Sequence, residues 1–320
     1  MRRQLAARLF KSLIVVLIVT TMSFFLIRFA PGDPFAYDGP NITPAIRAQW
    51  RAQYGYDRPL GEQFLRYVTS VAHGELGYSH SQRRPVVEVL AVAIPRTLLL
   101  VGVSLVLSFG IGIMLGVVQA TRRGQWIDRG VSAVLLFFYS LPDFWFAIMM
   151  LIAFTMWIPI FPSGGIVDPV MHEYMRPWPA FVDRIRHLVL PAITLTLLVA
   201  AVIARYQRSA MLDVLPAEFI RAARAKGVSE RGVVWRHALR TSLTPVISLL
   251  GLLLPALVGG SLFVETIFSW PGMGLLTADA VFNRDYDLLT ASVVVGAIMV
   301  ATGNLVADVL HAVADPRLRE

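Results

Sequence analysis

The sequence predicts an all-α polytopic membrane protein with six transmembrane helices and a helical extracytoplasmic insertion after the first. Three observations carry this. The 320 residues are 56% hydrophobic and 16% charged, with a mean hydropathy of +0.62, whereas a soluble domain carries about a quarter charged residues. The apolar residues gather into six runs, near 9–30, 95–121, 131–158, 188–206, 242–265 and 289–313, and a bilayer-crossing helix needs about 20 such residues. The basic residues concentrate in alternate loops, which sets orientation.

The first run follows Arg2, Arg3, Arg8 and Lys11 and ends in "FFLIRFAPGDP". No small-residue cleavage site follows, so it reads as an anchor and not as a removed leader. Arg28 stands near its outer end, where its side chain can snorkel to the interface. Residues 31–94 are polar and charge-balanced. "TPAIRAQWRAQYG" and "PLGEQFLRYVTSVAHGELG" read as short amphipathic helices there, with Trp50, Phe64, Leu65 and Val68 on apolar faces. The 120–130 loop has Arg122, Arg123 and Arg129 against Asp128, and the 205–241 loop has eight basic and three acidic residues. The 266–288 loop instead has Arg284 against Asp279, Asp285 and Asp287. The strongly basic loops share one side with the N-terminal tail. That side is the cytoplasm, with both termini inside. The organisation expected is a tail and first span over 1–30, an extracytoplasmic helical region over 31–94, a five-span core over 95–313 and a cytoplasmic tail over 314–320. No internal repeat is visible.

Several chemistries are excluded. With no cysteine, there are no disulfides or thiolate sites. The six histidines form no H-x-x-x-H or H-E-x-x-H, so no metal site is expected. No phosphate-cradling glycine loop occurs, so the chain itself does not hydrolyse ATP. The net charge of +8 reports membrane orientation, not nucleic acid.

"EFIRAARAKGVSERGVVWRHALR", residues 218–240, lies between the fourth and fifth runs and is crowded with arginine. Pro216 can start a helix, Ala222, Ala223 and Ala225 favour one, Gly227 interrupts it, and Ser229 can cap a second helix to about Arg240. The result is a compact knob at the membrane surface. Its alanines admit close approach, and Phe219, Ile220, Val228 and Val233 are candidates to fill a partner's groove. A loop that only fixes topology or binds anionic headgroups is the simpler alternative.

"RAARAKG" resembles the E-A-A-x-x-x-G motif of permease subunits of ABC importers. Arg221 stands at the Glu position, Ala222 and Ala223 match, and Gly227 falls at the required spacing. The full stretch is similar to the dipeptide/oligopeptide branch, in which His237-Ala-Leu-Arg240 replaces the more general I-x-L-P tail. "RFAPGDP" (28–34), "YGYDRPLGEQFLRYV", "VETIFSWPGMGLLTADAVFNRDYDLL" (264–289) and "NLVADVLHAVADPRLRE" (304–320) resemble further elements of that branch in the expected order. The long segment after the first run resembles the first, B-type, permease. The resemblance implies a type I ABC importer permease fold in a bacterial inner membrane. It implies ATPase coupling through Glu218, Phe219, Arg221, Ala222, Ala223, Lys226, Gly227, Arg236 and His237. It also implies a second permease, two ATPases carrying ATP and Mg, an extracytoplasmic binding protein and no cofactor on this chain. The implied solutes are peptides, with nickel chelates, glutathione and glycosides as relatives.

Polar groups within the runs complete the candidates. Asp143, in "YSLPDFWF" beside Pro142, lies about 18 Å along a helix from residue 131 at 1.5 Å per residue, near mid-membrane. It is either pore-facing or satisfied by another helix. Asn304 and Asp308 share a face of the last run and join Asp143 as candidates for the translocation path, with helix packing and gate structure favoured over substrate contact. Glu265 opens "ETIFSWPG" as a structural anchor. The competing class is an ion-coupled secondary transporter or channel using Asp143 and Asp308.

Overall fold

The computed structural model describes residues 2–29, 43–53 and 55–314, without the side chains of 2–7, 47, 50, 53, 251–252, 254–260 and 307–314. Trp50 and Asp308 are therefore described only as backbone, and residues 30–42 and 315–320 lie outside the described residues.

The chain is almost wholly helical. Helix α1 (Arg2–Phe29) is followed by α2 (Pro44–Gln53), α3 (Leu60–Ala72) and a two-residue antiparallel ribbon, β1 (Tyr78–Ser79) on β2 (Arg84–Pro85). Helix α4 runs from Val86 to Thr121 and α5 from Trp126 to Ser140. Helix α6 (Asp143–Leu151) continues through a π turn, Ile152–Trp157. Helix α7 spans Pro177–Val214. Helix α8 (Glu218–Ala225) and the three-residue α9 (Glu230–Gly232) form the knob. A second π turn, Val233–Ala238, leads from α9 into α10 (Leu239–Ser248), α11 (Leu250–Ile267), α12 (Met273–Phe282) and α13 (Tyr286–Ala314).

Among the described residues, α1, α4, α7 and α13 contain spans long and apolar enough to cross a bilayer. The α5–α6 pair supplies a fifth, bent by 103°. The six straight spans predicted become four or five because two runs are broken. Pro142 forces the bend: residues before proline avoid the α region, and Leu141 takes ψ 136° and Pro142 ψ 135°. The fifth run divides at Leu249 into α10 and α11. Helices α4 and α7 begin nine and eleven residues before the apolar runs expected at 95 and 188, since a polar turn can continue a helix beyond the bilayer. Pro177 starts α7 in its first turn, where its missing N–H costs nothing.

The centre of the molecule is the seam between α4 and α7. A Cβ added at Gly112 would lie 2.7 Å from Ile203, and one at Gly116 would lie 2.7 Å from the Ala204 carbonyl. Two glycines four residues apart thus let the backbones touch, the usual means of packing helices where water provides no hydrophobic drive. Hydroxyls stitch the same seam. Ser104 donates to the Ala192 carbonyl at 3.4 Å, Ser108 to Thr196 O at 3.3 Å and Thr196 to Ser104 O at 3.4 Å.

Leu100, Leu190, Leu195, Val264, Phe268 and Trp270 form one core above this seam, and Val117, Met211, Ile220 and Val233 form another below it. Helix α1 lies against α13. Its Phe10, Leu13, Leu17 and Met22 are exposed, as side chains facing lipid would be. Phe64 packs on Phe24 and Phe25 at 5.4 and 5.3 Å, seating α3 on α1. Leu65, expected on an apolar face, is instead 65% exposed because the helix turns Phe64, Tyr67 and Val68 inward.

Candidate functional site

The knob is built by local signals. Helix α8 starts at Glu218, two residues after Pro216, and ends in a Schellman motif. Val228 N–H donates to Ala223 O at 3.2 Å and Gly227 N–H to Arg224 O at 3.0 Å. Gly227 takes φ +77°, the left-handed conformation such a cap requires. Ser229 then caps the next helix, accepting from Gly232 N–H at 3.3 Å. Arg224 closes the corner by donating to Glu230 through Nε at 2.8 Å and Nη2 at 3.4 Å.

Burial divides the segment into two faces. Ile220 and Ala223 point into the chain's own core with Val233 and Ala238. Ile220, Val228 and Val233 were candidates to fill a partner's groove. The structure corrects this: Ile220 and Val233 are fully buried and Val228 half-buried against them, because the two short helices need a floor of their own. Phe219 alone of the four remains available, at 46% exposure. It shares the outer face with Glu218, Arg221, Ala222 and Lys226.

The second half departs from expectation. It does not stop near Arg240 but passes without interruption into α10. The π turn has a physical reason. Val233 and Ala238 are five residues apart and both fully buried, and only the wider i→i+5 turn sets that pair on one face. Trp235 and Arg236 are thereby exposed and His237 half-buried. Behind the knob, a cleft of about 460 Å³ is lined by Arg122, Arg224, Glu230, Arg231 and Trp235. The basic loops are less free than a charge count suggests. Arg208 holds buried Asp128 with Nε–Oδ1 at 2.8 Å and Nη2–Oδ2 at 3.0 Å, and Gly124 N–H adds 3.0 Å.

Asp143 is the first residue of α6, directly after the bend at Pro142, and is exposed. Among the described residues no basic group lies within ion-pair distance of it. Arg205 stacks on the ring of Tyr139, four residues before Asp143, at 4.8 Å. Asn304 is exposed on α13. The structure does not bring Asp143 together with the knob, which forms at the far end of α7.

Glu265 is the anchor expected. Fully buried, it accepts from Thr97 Oγ1 at 2.8 Å, Gly274 N–H at 2.6 Å and Leu275 N–H at 3.3 Å. It ties α4 and α11 to the start of α12. Trp270 Nε1 donates to the Arg96 carbonyl at 3.1 Å beside it. The glycine pair Gly112 and Gly116 was missed by sequence reading, although its G-x-x-x-G spacing in an apolar run is a recognisable signal.

Four or five helices long and apolar enough to cross a bilayer, with a basic knob between two of them, mark an integral membrane protein. Residues 112–320 match the family described as binding-protein-dependent transport system inner membrane component, and residues 1–101 match the N-terminal membrane component of such systems. The chain belongs to this family. It is 39% identical to the oligopeptide transport system permease protein AppB of Bacillus subtilis over 97% of each chain. It is 35% identical to the dipeptide transport system permease protein DppB of Escherichia coli over 94% of each. It is 36% identical to the glutathione transport system permease protein GsiC of Salmonella paratyphi A, over 95% of this chain and 94% of that one. The inward-facing MetNI methionine ABC transporter has a similar chain, with a TM-score of 0.58 and 23% identity over 71% of this chain and 96% of the other. At that identity the likeness concerns the fold. The protein is thus a permease subunit of an ABC importer in a bacterial inner membrane, and the ion-coupled reading finds no support.

Proposed function

We propose that this chain is the first of two permease subunits of an importer for peptides, driven by ATPases that dock on the 218–240 knob. The observation that carries the coupling role is the division of the knob. Its buried face anchors it to α4 and α7, while Glu218, Phe219, Arg221, Ala222 and Lys226 stand outward with nothing of this chain over them among the described residues. A rigid projection with a free apolar tip and flanking charges suits a cleft in a partner. The ATPases would hold ATP and Mg, and an extracytoplasmic binding protein would deliver the solute. The peptide class rests on the likeness to AppB, DppB and GsiC, permeases of oligopeptide, dipeptide and glutathione transport systems. Co-purification of the tagged chain with an ATPase tests the reading, and a chain that transports without one would overturn it.

Six spans are proposed, counting α5–α6 and α10–α11 as one each, with both termini inside. Ser81 and Ser229 are poor probe positions for this. Ser81 bonds Asp285 through its Oγ at 2.8 Å, and Ser229 is a helix cap. Ala72 and Gln125 are exposed and make no side-chain bond among the described residues. In a chain without cysteine, Ala72→Cys is expected to react with an impermeant thiol reagent in intact cells and Gln125→Cys only after lysis. The reverse pattern would invert the topology.

Asp143 is assigned to the translocation path. A carboxylate within a span costs a few kcal/mol unless it meets water or a partner, and here it is exposed without an ion pair. A peptide's free amino terminus would satisfy it transiently. Asp143→Asn is expected to reduce uptake of a free peptide about tenfold, the loss of one charge-assisted bond, while sparing the N-acetylated form of that peptide. Equal effects on both would make Asp143 a structural residue.

A further inference from the structure

We propose that the cleft between the end of α4 and the knob binds the phosphate-bearing headgroup of an anionic membrane phospholipid. The cleft, of about 460 Å³, falls within the roughly 300–1,000 Å³ of ligand pockets and far exceeds the roughly 30 Å³ share of one water. It is lined from the last turn of α4, the residue after α7, helices α8 and α9, and the π turn at Val233–Ala238.

The charge of the lining selects an anion. Arg122, Arg224 and Arg231 stand there against Glu230 alone. Arg224 is committed to Glu230, through Nε at 2.8 Å and Nη2 at 3.4 Å. Arg122 and Arg231 make no ion pair or side-chain hydrogen bond among the described residues, so two positive charges are left uncompensated. Arginine suits a phosphate because its planar fork can bond two oxygens at once. The same cleft is also lined by Val118, Leu215 and Val234, all half-buried. Free phosphate gains nothing from these apolar groups, whereas a lipid brings its glycerol and first methylenes together with the phosphate. A phosphatidylcholine headgroup would add a quaternary ammonium where no acid is spare, so the headgroup must be net anionic.

The position of the cleft supplies the lipid. The apolar run of α4 stops at Thr121, and Arg122 and Arg123 follow directly. Trp126, at the start of α5, is 80% exposed, and Trp235, in the cleft lining, is 47% exposed. Tryptophan gathers at the level of the headgroups. On the topology proposed above this is the cytoplasmic leaflet, whose anionic lipids are held by basic pockets between spans. Glu218, Phe219, Arg221, Ala222 and Lys226, the outward residues assigned to ATPase docking, line no part of the cleft. A lipid there joins Arg122 of the bundle to Arg231 of the knob.

The test is native mass spectrometry of the full-length chain with its co-purifying subunits. The protein is released from micelles holding equal amounts of phosphatidylglycerol and phosphatidylcholine with the same acyl chains. One phosphatidylglycerol per copy of this chain is expected to stay bound in preference to phosphatidylcholine. Arg122→Gln and Arg231→Gln should each lower that preference about fivefold, and the pair about thirtyfold. Both residues are exposed, so neither substitution disturbs the fold. Arg129→Gln removes an exposed charge of the same basic loop outside the cleft and should change nothing. An equal fall with Arg129→Gln, or no preference in the unsubstituted protein, would overturn the proposal. Displacement of the lipid by about 10 mM inorganic phosphate would make the occupant a free phosphate group and would overturn the lipid. Loss of a co-purifying subunit from the double variant, with lipid preference unchanged, would give the cleft to a protein partner and overturn it equally.

Discussion

Gly227→Pro is expected to bring uptake to background while the chain remains in the membrane. Gly227 sits at φ +77° and its N–H is bonded to Arg224 O. Proline fixes φ near −65° and has no N–H, a conflict of about 3 kcal/mol or more at the corner. The Schellman cap and the Arg224–Glu230 clasp fail together, so the outer face of α8 loses its orientation while the spans are untouched. Gly227→Ala meets no atom within 4 Å and pays only the left-handed backbone, about 1–2 kcal/mol, so it should retain part of the uptake. Ala222→Glu is the companion test, because Ala222 is exposed and the substitution changes only the docking face. Ala223→Glu is unsuitable, since Ala223 is buried in the knob's own floor and a charge there would report folding. Transport activity is measured beside immunoblotted membrane levels. Uptake surviving both Gly227→Pro and Ala222→Glu would remove the knob from the mechanism.

Gly116→Leu should have a still broader effect, removing most of the chain from the membrane. Even the first carbon of the new side chain would lie 2.6 Å from Gln207 Cβ and 2.7 Å from a backbone carbonyl of α7, and a carbonyl in a helix cannot swing aside. Overpacking costs about 1–3 kcal/mol where side chains can move, and more is expected here because backbone must move. Gly110→Leu, on the same helix with nothing within 4 Å, is the matched control. The readouts are steady-state membrane level and the thermal midpoint of the purified complex. Equal levels for the two variants would show that the α4–α7 seam is not what holds the bundle.

These cases also show what was legible in the sequence. Apolar runs report helices because burial in lipid demands composition, so α1, α4, α7 and α13 were found. The bend at Pro142 was signalled as an opening, but its 103° depends on what α6 packs against, which composition does not encode. In the knob, Gly227 and Ser229 were readable because caps are local chemistry. The inward aim of Ile220 and Val233 was not, since it depends on Val117, more than one hundred positions upstream, and on Met211 beside the knob. Glu265 could be read as an anchor from its turn, whereas its bond to Thr97 joins residues 168 apart.

The π turn at Val233–Ala238 makes the junction between knob and α10 a matter of phase. A wide turn carries one residue more than the regular helix would need, so everything before it is offset from everything after it. One residue of α-helix corresponds to about 100° of rotation and 1.5 Å of advance. If that turn relaxed to regular winding, α8 and its outward Phe219 would swing like a crank about the axis of α10, and Ala238 would leave the face it shares with Val233. The burial of both side chains is what keeps the crank at one setting.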